Sequence, residues 1–307
     1  MKVAIMGAGG LGAYYGGMLA RAGQPVHFIA RGAHLQALQR DGLHVESAHV
    51  GDFHLPSVNA TDNPATIGRV DAVLMGVKAY DLEAASHAIR PLLGADTFVL
   101  PLLNGMDMAD RIGAVVGMER VLGGTVILSC NVIAPGRIRH VFNGPLKFGE
   151  LAGGRSARAG ALEAAFHAAG VLAEQSENIL REIWHKYIVV SPLAAVSSVV
   201  RLPTHQIAAH PDTRALYEGV AREVEALARA SGVAVDADCV AQAMAFIDGV
   251  SSQHTVSTLL DLRAGRRLEL DAMLGAAVRL GQRLGVPTPI ANVLHAALRP
   301  YENGPLQ

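Results

Sequence analysis

The first two dozen residues constrain the fold more than any other segment. Val3 to Met6 is a short apolar run, Gly7-Ala8-Gly9-Gly10-Leu11-Gly12 follows at once, and Leu11 to Ala22 reads as a helix of small residues. A G-x-G-x-x-G pattern says little alone, but between a strand and a helix it describes one particular turn. Gly7 permits the tight bend, Gly9 leaves the backbone open to a pyrophosphate, and Gly12 lets the helix lie close on the strand. The N–H groups of the first helical turn have no intrahelical acceptor and can face the phosphates. Such a turn follows the first strand of a parallel sheet that binds a dinucleotide.

The chain beyond it agrees. Val26 to Ala30, Ala72 to Val77, Thr97 to Leu103, Val121 to Cys130 and Arg137 to Phe142 are strand-like, while Leu82 to Leu93 and Leu162 to Ala169 are helical. Strands alternating with helices imply crossover connections and a mostly parallel sheet. From about Ser176 the strand signal stops. Ile179 to Val200 can run as one helix, and Leu216, Val220, Val224 and Leu227 recur at helical spacing. Ala272 to Leu284 and Ile290 to Leu298 read likewise, with Pro287 and Pro289 between them. The expected architecture is α/β, with a Rossmann-type doubly wound sheet over residues 1–174 and an all-α domain over residues 175–307.

Composition removes several classes of function. Lys plus Arg is 26 and Asp plus Glu 27, so the net charge of −1 lacks the basic excess of a nucleic-acid binder. Half of the residues are hydrophobic, which is incompatible with a disordered chain. Cys130 and Cys239 lie too far apart for a zinc motif or a disulfide framework, so a reducing, cytoplasmic setting is expected. The apolar stretch Tyr187 to Val200 holds Pro192 and three serines and is shorter than a membrane span, so no membrane partner is expected. His44, His49 and His54 sit in an irregular or β-hairpin region, five residues apart, which would put the three rings on alternate faces of a strand, and no metal site is expected.

Several side chains are candidates for chemistry. A strand binding NAD usually ends in an acidic residue that accepts from the ribose 2′-OH, but here Arg31 follows Ala30. A guanidinium matches a phosphate, which points to NADP. Lys78 and Asn104 end later strands, where ligands of open sheets bind. Lys186 lies between Trp184 and the apolar run from Ile188, so its ammonium is partly desolvated. Burial lowers a lysine pKa and makes it a usable proton donor near neutral pH. A lysine reaching out from a helix end is the alternative.

Seven ordered motifs together resemble the ketopantoate reductase (2-dehydropantoate 2-reductase) family along essentially the whole chain. They are Gly7 to Gly12, Val77-Lys78-Ala79, Leu103-Asn104-Gly105-Met106, Pro135-Gly136 before Ile138-Arg139-His140, Trp184-His185-Lys186, the stretch from Ser257 through Arg266 and Glu269-Leu270-Asp271 to Gly275, and Gly285-Val286-Pro287-Thr288-Pro289. The resemblance implies an active site in a cleft between the two domains. It implies hydride transfer from NADPH to the C2 carbonyl of a 2-oxo acid, with Lys186 as proton donor. It implies that Glu269 holds the new hydroxyl, orients Lys186 and borders the cofactor. Ser257 would bind the substrate carboxylate, and Asn104 and Lys78 would contact cofactor and substrate. Arg31 falls at the 2′-phosphate position, with Gly7, Ala8, Gly9, Gly10, Leu11, Gly12 and Cys130 against the rest of the cofactor. A homodimer is an expectation by analogy.

The chain also departs from the family. Members carry asparagines where this one has Val190, Ala194, Thr204 and His254. An apolar pocket discriminates a substrate hydroxyl poorly. The substrate therefore stays open between 2-dehydropantoate and a more apolar 2-oxo acid, with His254 a candidate replacement donor. A non-catalytic NADP sensor is the remaining reading, although it has no need for Lys186 and Glu269 together.

Overall fold

The structure is a computed structural model that describes residues 1–251 and 254–305. Its contacts divide the chain into two compact units. The first comprises Met1–Leu103 and Met108–Leu180, and the second Asn104–Asp107 with Arg181–Gln307. The division falls after Leu180, later than the expected position near residue 174, because the chain first adds one more edge strand, Ala173–Gln175, to the first unit.

In the first unit, the strands are β1 (Val3–Met6), β2 (Val26–Ile29), β3 (Leu43–Ser47), β4 (Phe53–Leu55), β5 (Asn59–Thr61), β6 (Val70–Met75), β7 (Leu93–Pro101), β8 (Leu122–Val126), β9 (Ser129–Ala134), β10 (Arg137–Phe142), β11 (Leu146–Glu150) and β12 (Ala173–Gln175). Its helices are α1 (Gly10–Arg21), α2 (Gly32–Asp41), α3 (Leu82–Ala88), α4 (Met108–Val116) and α5 (Ala157–Ala168). The main sheet runs β5-β2-β1-β6-β7, and every pairing in it is parallel. β1 is central because it is wholly apolar and buried on both faces, as a parallel strand covered by helices must be. The chain builds outward from β1 through β2 to β5, then returns to place β6 on the other side of β1. The strand order therefore reverses between β1 and β6, and ligands of such sheets bind beyond the carboxyl ends at that point. The β4-β3-β10-β9 and β12-β11-β8 sheets complete the unit.

The histidine series lies in the expected hairpin, but not on alternate faces of one strand. His44 on β3 and His54 on β4 are direct cross-strand partners, with rings stacked at 3.7 Å, while His49 sits in the connecting turn. Three imidazoles on alternate faces of one strand would need an unbroken strand, but the chain reverses after Ser47.

The second unit is helical: α6 (Ile179–Val200, entering from the first unit), α7 (Thr204–Ala209), α8 (Pro211–Ala230), α9 (Cys239–Gly249), α10 (Ser257–Arg263), α11 (Ala276–Leu284) and α12 (Pro289–Leu298), with a π-helical turn over Asp271–Gly275. Over its full 22 residues α6 is long and apolar enough to cross a membrane, but most of it is buried inside the protein as a core helix. On α8, Tyr217, Val220, Ala221, Val224, Leu227 and Ala228 form the buried stripe. Its inward face starts at Thr213; Leu216, which the spacing includes, is only half-buried.

Candidate active site

The glycine-rich turn sits at the reversal point of the main sheet. Gly7 has φ +93°, a left-handed conformation that favours glycine. A Cβ there would stand 2.7 Å from Val77 N, because the segment after β6 packs directly against the turn. A Cβ on Gly12 would overlap the Gly7 carbonyl oxygen, so α1 can approach β1 only with glycine at that position. Open space surrounds Gly9, the side from which a ligand can reach the backbone. The amides are not all free, since Gly7 and Ala8 both donate to the Ile29 carbonyl, at 3.2 Å. The first-turn amides of α1, from Gly10 through Leu11 to Gly12, are therefore the ones left for an anion. No side chain caps this end of α1 and its first turn has no acidic residue, so nothing opposes a phosphate there.

Cys130 borders the turn in an unexpected way. It is the backbone of β9 that approaches, so closely that a Cβ on Gly10 would overlap the Cys130 carbonyl oxygen. Burial pushes the Cys130 thiol up to about 12, and it packs on the apolar core of the first unit. Arg31 follows β2 as the residue before α2 and is exposed. Lys78 follows β6 and is half-buried.

The second unit assembles a different cluster. Lys186 lies one turn or more inside α6, beside Trp184 and Tyr187, which are both buried and packed edge to face with centroids 6.1 Å apart. His185 accepts the Asp236 amide at 3.1 Å, which ties this end of α6 to the segment before α9. Lys186 Nζ donates to Asn104 Oδ1 at 2.6 Å. Asn104 sits just beyond β7, yet by its contacts it belongs with the helical unit. Burial of the ammonium lowers the Lys186 pKa from 10.5 to about 8, and the Glu269 charge opposes that fall. Glu269 is half-buried on the irregular stretch just before the π turn. Lys186, Asn104 and Glu269 thus come together although far apart in sequence.

Two other expected residues come from the start of α10 and the segment just before it. Ser257 is exposed, at the first position of α10. His254 does not present both ring nitrogens for a ligand, because Nδ1 lies 2.8 Å from Thr204 Oγ1. Burial lowers its pKa, which favours the neutral ring. Two of the departures from the family pattern therefore bond to each other. Val190 and Ala194 follow Lys186 by four and eight residues, so all three share one stripe of α6.

Sequence reasoning missed two contributors. Tyr187 and Ser191 donate from α6 to carbonyls of the π turn. No sequence signal marks a π turn, so nothing identified these hydroxyls. The sequence pattern makes Gly10 part of a phosphate turn, while its structural demand comes from β9.

Residues 3–153 match the family described as Ketopantoate reductase PanE/ApbA, and residues 178–302 match Ketopantoate reductase PanE/ApbA C terminal. The chain belongs to the ketopantoate reductase family. It is an oxidoreductase family with this two-part organisation. A 2-dehydropantoate 2-reductase from Nostoc sp. is 31% identical, over 97% of this chain and 94% of that protein. A PanE/ApbA family ketopantoate reductase from Ralstonia eutropha JMP134 superposes with a TM-score of 0.90 at 37% identity, covering 98% of each chain. D-mandelate dehydrogenase, solved with NADH and anilino(oxo)acetate, also superposes at 0.90, with 25% identity and 98% of each chain covered. Family membership thus carries neither one substrate nor one form of the nicotinamide cofactor.

Proposed function

We propose that the protein catalyses NADPH-dependent reduction of the C2 carbonyl of a 2-oxo acid, with 2-dehydropantoate as the first candidate substrate. The observation that carries this reading is the Lys186 ammonium, buried, bonded to Asn104 and lowered to about 8 with Glu269 acting on it. A lysine so placed is charged at neutral pH and yields its proton readily.

The residues of the first unit fit a nicotinamide dinucleotide. The uncapped α1 N-terminus and the open side of Gly9 suit the pyrophosphate. Exposed Arg31, standing where an acidic residue would repel a phosphate, suits the adenosine 2′-phosphate and so NADP(H). Lys78 is a further cation at the reversal point of the sheet. NADPH, when bound, supplies the hydride that C2 gains. Lys186 Nζ then protonates the substrate oxygen as the C2–O π bond breaks, a contribution of roughly 10²–10⁴-fold. Asn104 fixes the ammonium before reaction, and Glu269 keeps it charged and accepts from the new hydroxyl. Ser257 takes the substrate carboxylate.

A second reading concerns only the substrate. Val190 and Ala194 put apolar surface on the Lys186 stripe, and Thr204 occupies the His254 ring nitrogen. Together with the likeness to D-mandelate dehydrogenase, this favours a more apolar 2-oxo acid. The test is a panel of 2-oxo acids, 2-dehydropantoate and aryl 2-oxo acids included, followed by NADPH absorbance. Turnover that Lys186→Ala abolishes while NADPH still binds supports the mechanism. Full activity of Lys186→Ala sinks it, and a strong preference for an aryl acid moves the substrate to the second reading.

A further inference from the structure

We propose that Tyr187 and Ser191 are positioning residues whose hydroxyls hold the π turn Asp271–Gly275 and so set Glu269 against Lys186. Its meaning for catalysis rests on the acid role proposed above for Lys186, but its geometry does not. A π turn widens the helix and leaves carbonyls that the regular ladder does not pair, and such turns concentrate at functional sites. Here two side chains of α6 take them. Tyr187 Oη lies 2.6 Å from the Met273 carbonyl oxygen and 3.1 Å from that of Ala272. Ser191 Oγ lies 2.6 Å from the same Met273 oxygen. Both side chains are buried and four residues apart, on one face of α6.

The turn is in turn bonded to Glu269, since Met273 N–H donates to the Glu269 carbonyl at 3.1 Å. Lys186 adjoins Tyr187 in the chain. The connection between acid and carboxylate is therefore short: one helix, two hydroxyls, one carbonyl, one amide. On its other side the turn is braced by the Asp271–Arg279 ion pair. Gly275 leaves room for that pair, because a Cβ there would stand 2.6 Å from Asp271 Oδ1 and 3.2 Å from Arg279 Nη1. The titratable and charged groups acting here include Glu269 on Lys186, Asp107, Asp271 and Arg279 on the Tyr187 phenol, and His295, which faces Gly275 and interacts with Asp271 and Arg279. Burial raises that phenol above its usual range, so it stays a proton donor at any working pH.

Burial and Glu269 act on Lys186 in opposite directions, so displacing Glu269 reads out as a lower Lys186 titration. The chain has four lysines, which makes ¹³C-lysine NMR practicable. Lys186 would be titrated in the wild type, in Glu269→Gln, in Tyr187→Phe with Ser191→Ala, and in all three changes combined. The expected result is that the hydroxyl-free variant titrates lower by the same interval as Glu269→Gln, and that the combination adds nothing. A hydroxyl-free variant that titrates like the wild type overturns the proposal, as does a Glu269→Gln variant that leaves Lys186 unmoved. Should the double change fail to fold, Ser191→Ala alone carries the test, with a smaller downward shift expected and an unmoved titration refuting. The titration needs neither substrate nor cofactor, so it can fail while the reductase reading stands, and an inactive protein would refute that reading without touching it. In turnover, the hydroxyl-free variant should lose kcat, up to about 100-fold, with KM for NADPH unchanged.

Discussion

The buried charge on Lys186 should cost the protein stability, and the cost should vanish in alkali. Folding lowers the Lys186 pKa from 10.5 to about 8. At about 1.4 kcal/mol for each tenfold change, that interval corresponds to about 3 kcal/mol. The ammonium is buried but the residue as a whole stays partly accessible, so this is an upper figure. The folded pKa lies below the unfolded one, so between them the unfolded chain binds the extra proton. Stability contributed by this group therefore rises with pH from about 8 to 10.5 and is missing at pH 7. Lys186→Met keeps much of the volume and removes the charge. At pH 7 it should be the more stable protein by up to about 3 kcal/mol, less about 1–2 kcal/mol for stranding Asn104 Oδ1. Near pH 10.5 only the stranding cost is left, and the variant should be the less stable one. Urea unfolding of both proteins at the two pH values measures this, and other titrating groups cancel in the comparison. A variant-minus-wild-type difference that is the same at pH 7 and pH 10.5 would refute the reasoning, because the lysine would then not be desolvated on folding.

Other outcomes follow from the first unit. Arg31→Gln should weaken NADPH binding about 10- to 100-fold, the worth of a charge-assisted pair, and leave NADH nearly unchanged in fluorescence titrations. Equal losses for both nucleotides would remove Arg31 from the 2′-phosphate. Gly10→Ala forces a Cβ onto the Cys130 carbonyl and should lower the melting point, at a cost of about 1–3 kcal/mol, whereas Gly9→Ala meets open space and should melt normally but bind NADPH poorly. A Gly10→Ala protein with wild-type melting would mean that β9 does not press on the turn. The Cys130 thiol, pushed up to about 12, is about one part in ten thousand thiolate at pH 8. It should react with a disulfide reagent far more slowly in the native protein than after unfolding, and comparable rates would contradict its burial.

The fold was legible where one residue pattern decides local structure. Val3–Met6 and Ile179–Val200 form the elements expected of them, residue for residue. A strand buried on both faces and a long apolar helix carry their signal in every position. β12 escaped notice because three residues at a sheet edge have no periodicity to read. The glycines were legible in part. Gly7 makes the left-handed bend and Gly12 the close helix–strand approach assigned to them, since both roles arise within one strand-turn-helix unit. Gly10 answers to β9, more than a hundred residues onward, and no local pattern can report that.

The sequence by itself determined the kinds of chemistry available: a phosphate-receptive turn, an arginine in place of an acid at the end of β2, and one lysine set in an apolar helix. These are properties of neighbouring residues, and neighbours in sequence stay neighbours in the fold. Only the tertiary structure decided which groups act on one another. It placed Asn104, from the end of a strand, among the contacts of the helical unit and on the Lys186 ammonium. It turned Thr204 and His254 toward each other. It also widened one helical turn into a π turn whose carbonyls bind Tyr187 and Ser191. A lysine pKa is set by the solvent it loses and the charges it meets, and both are fixed by packing between distant segments.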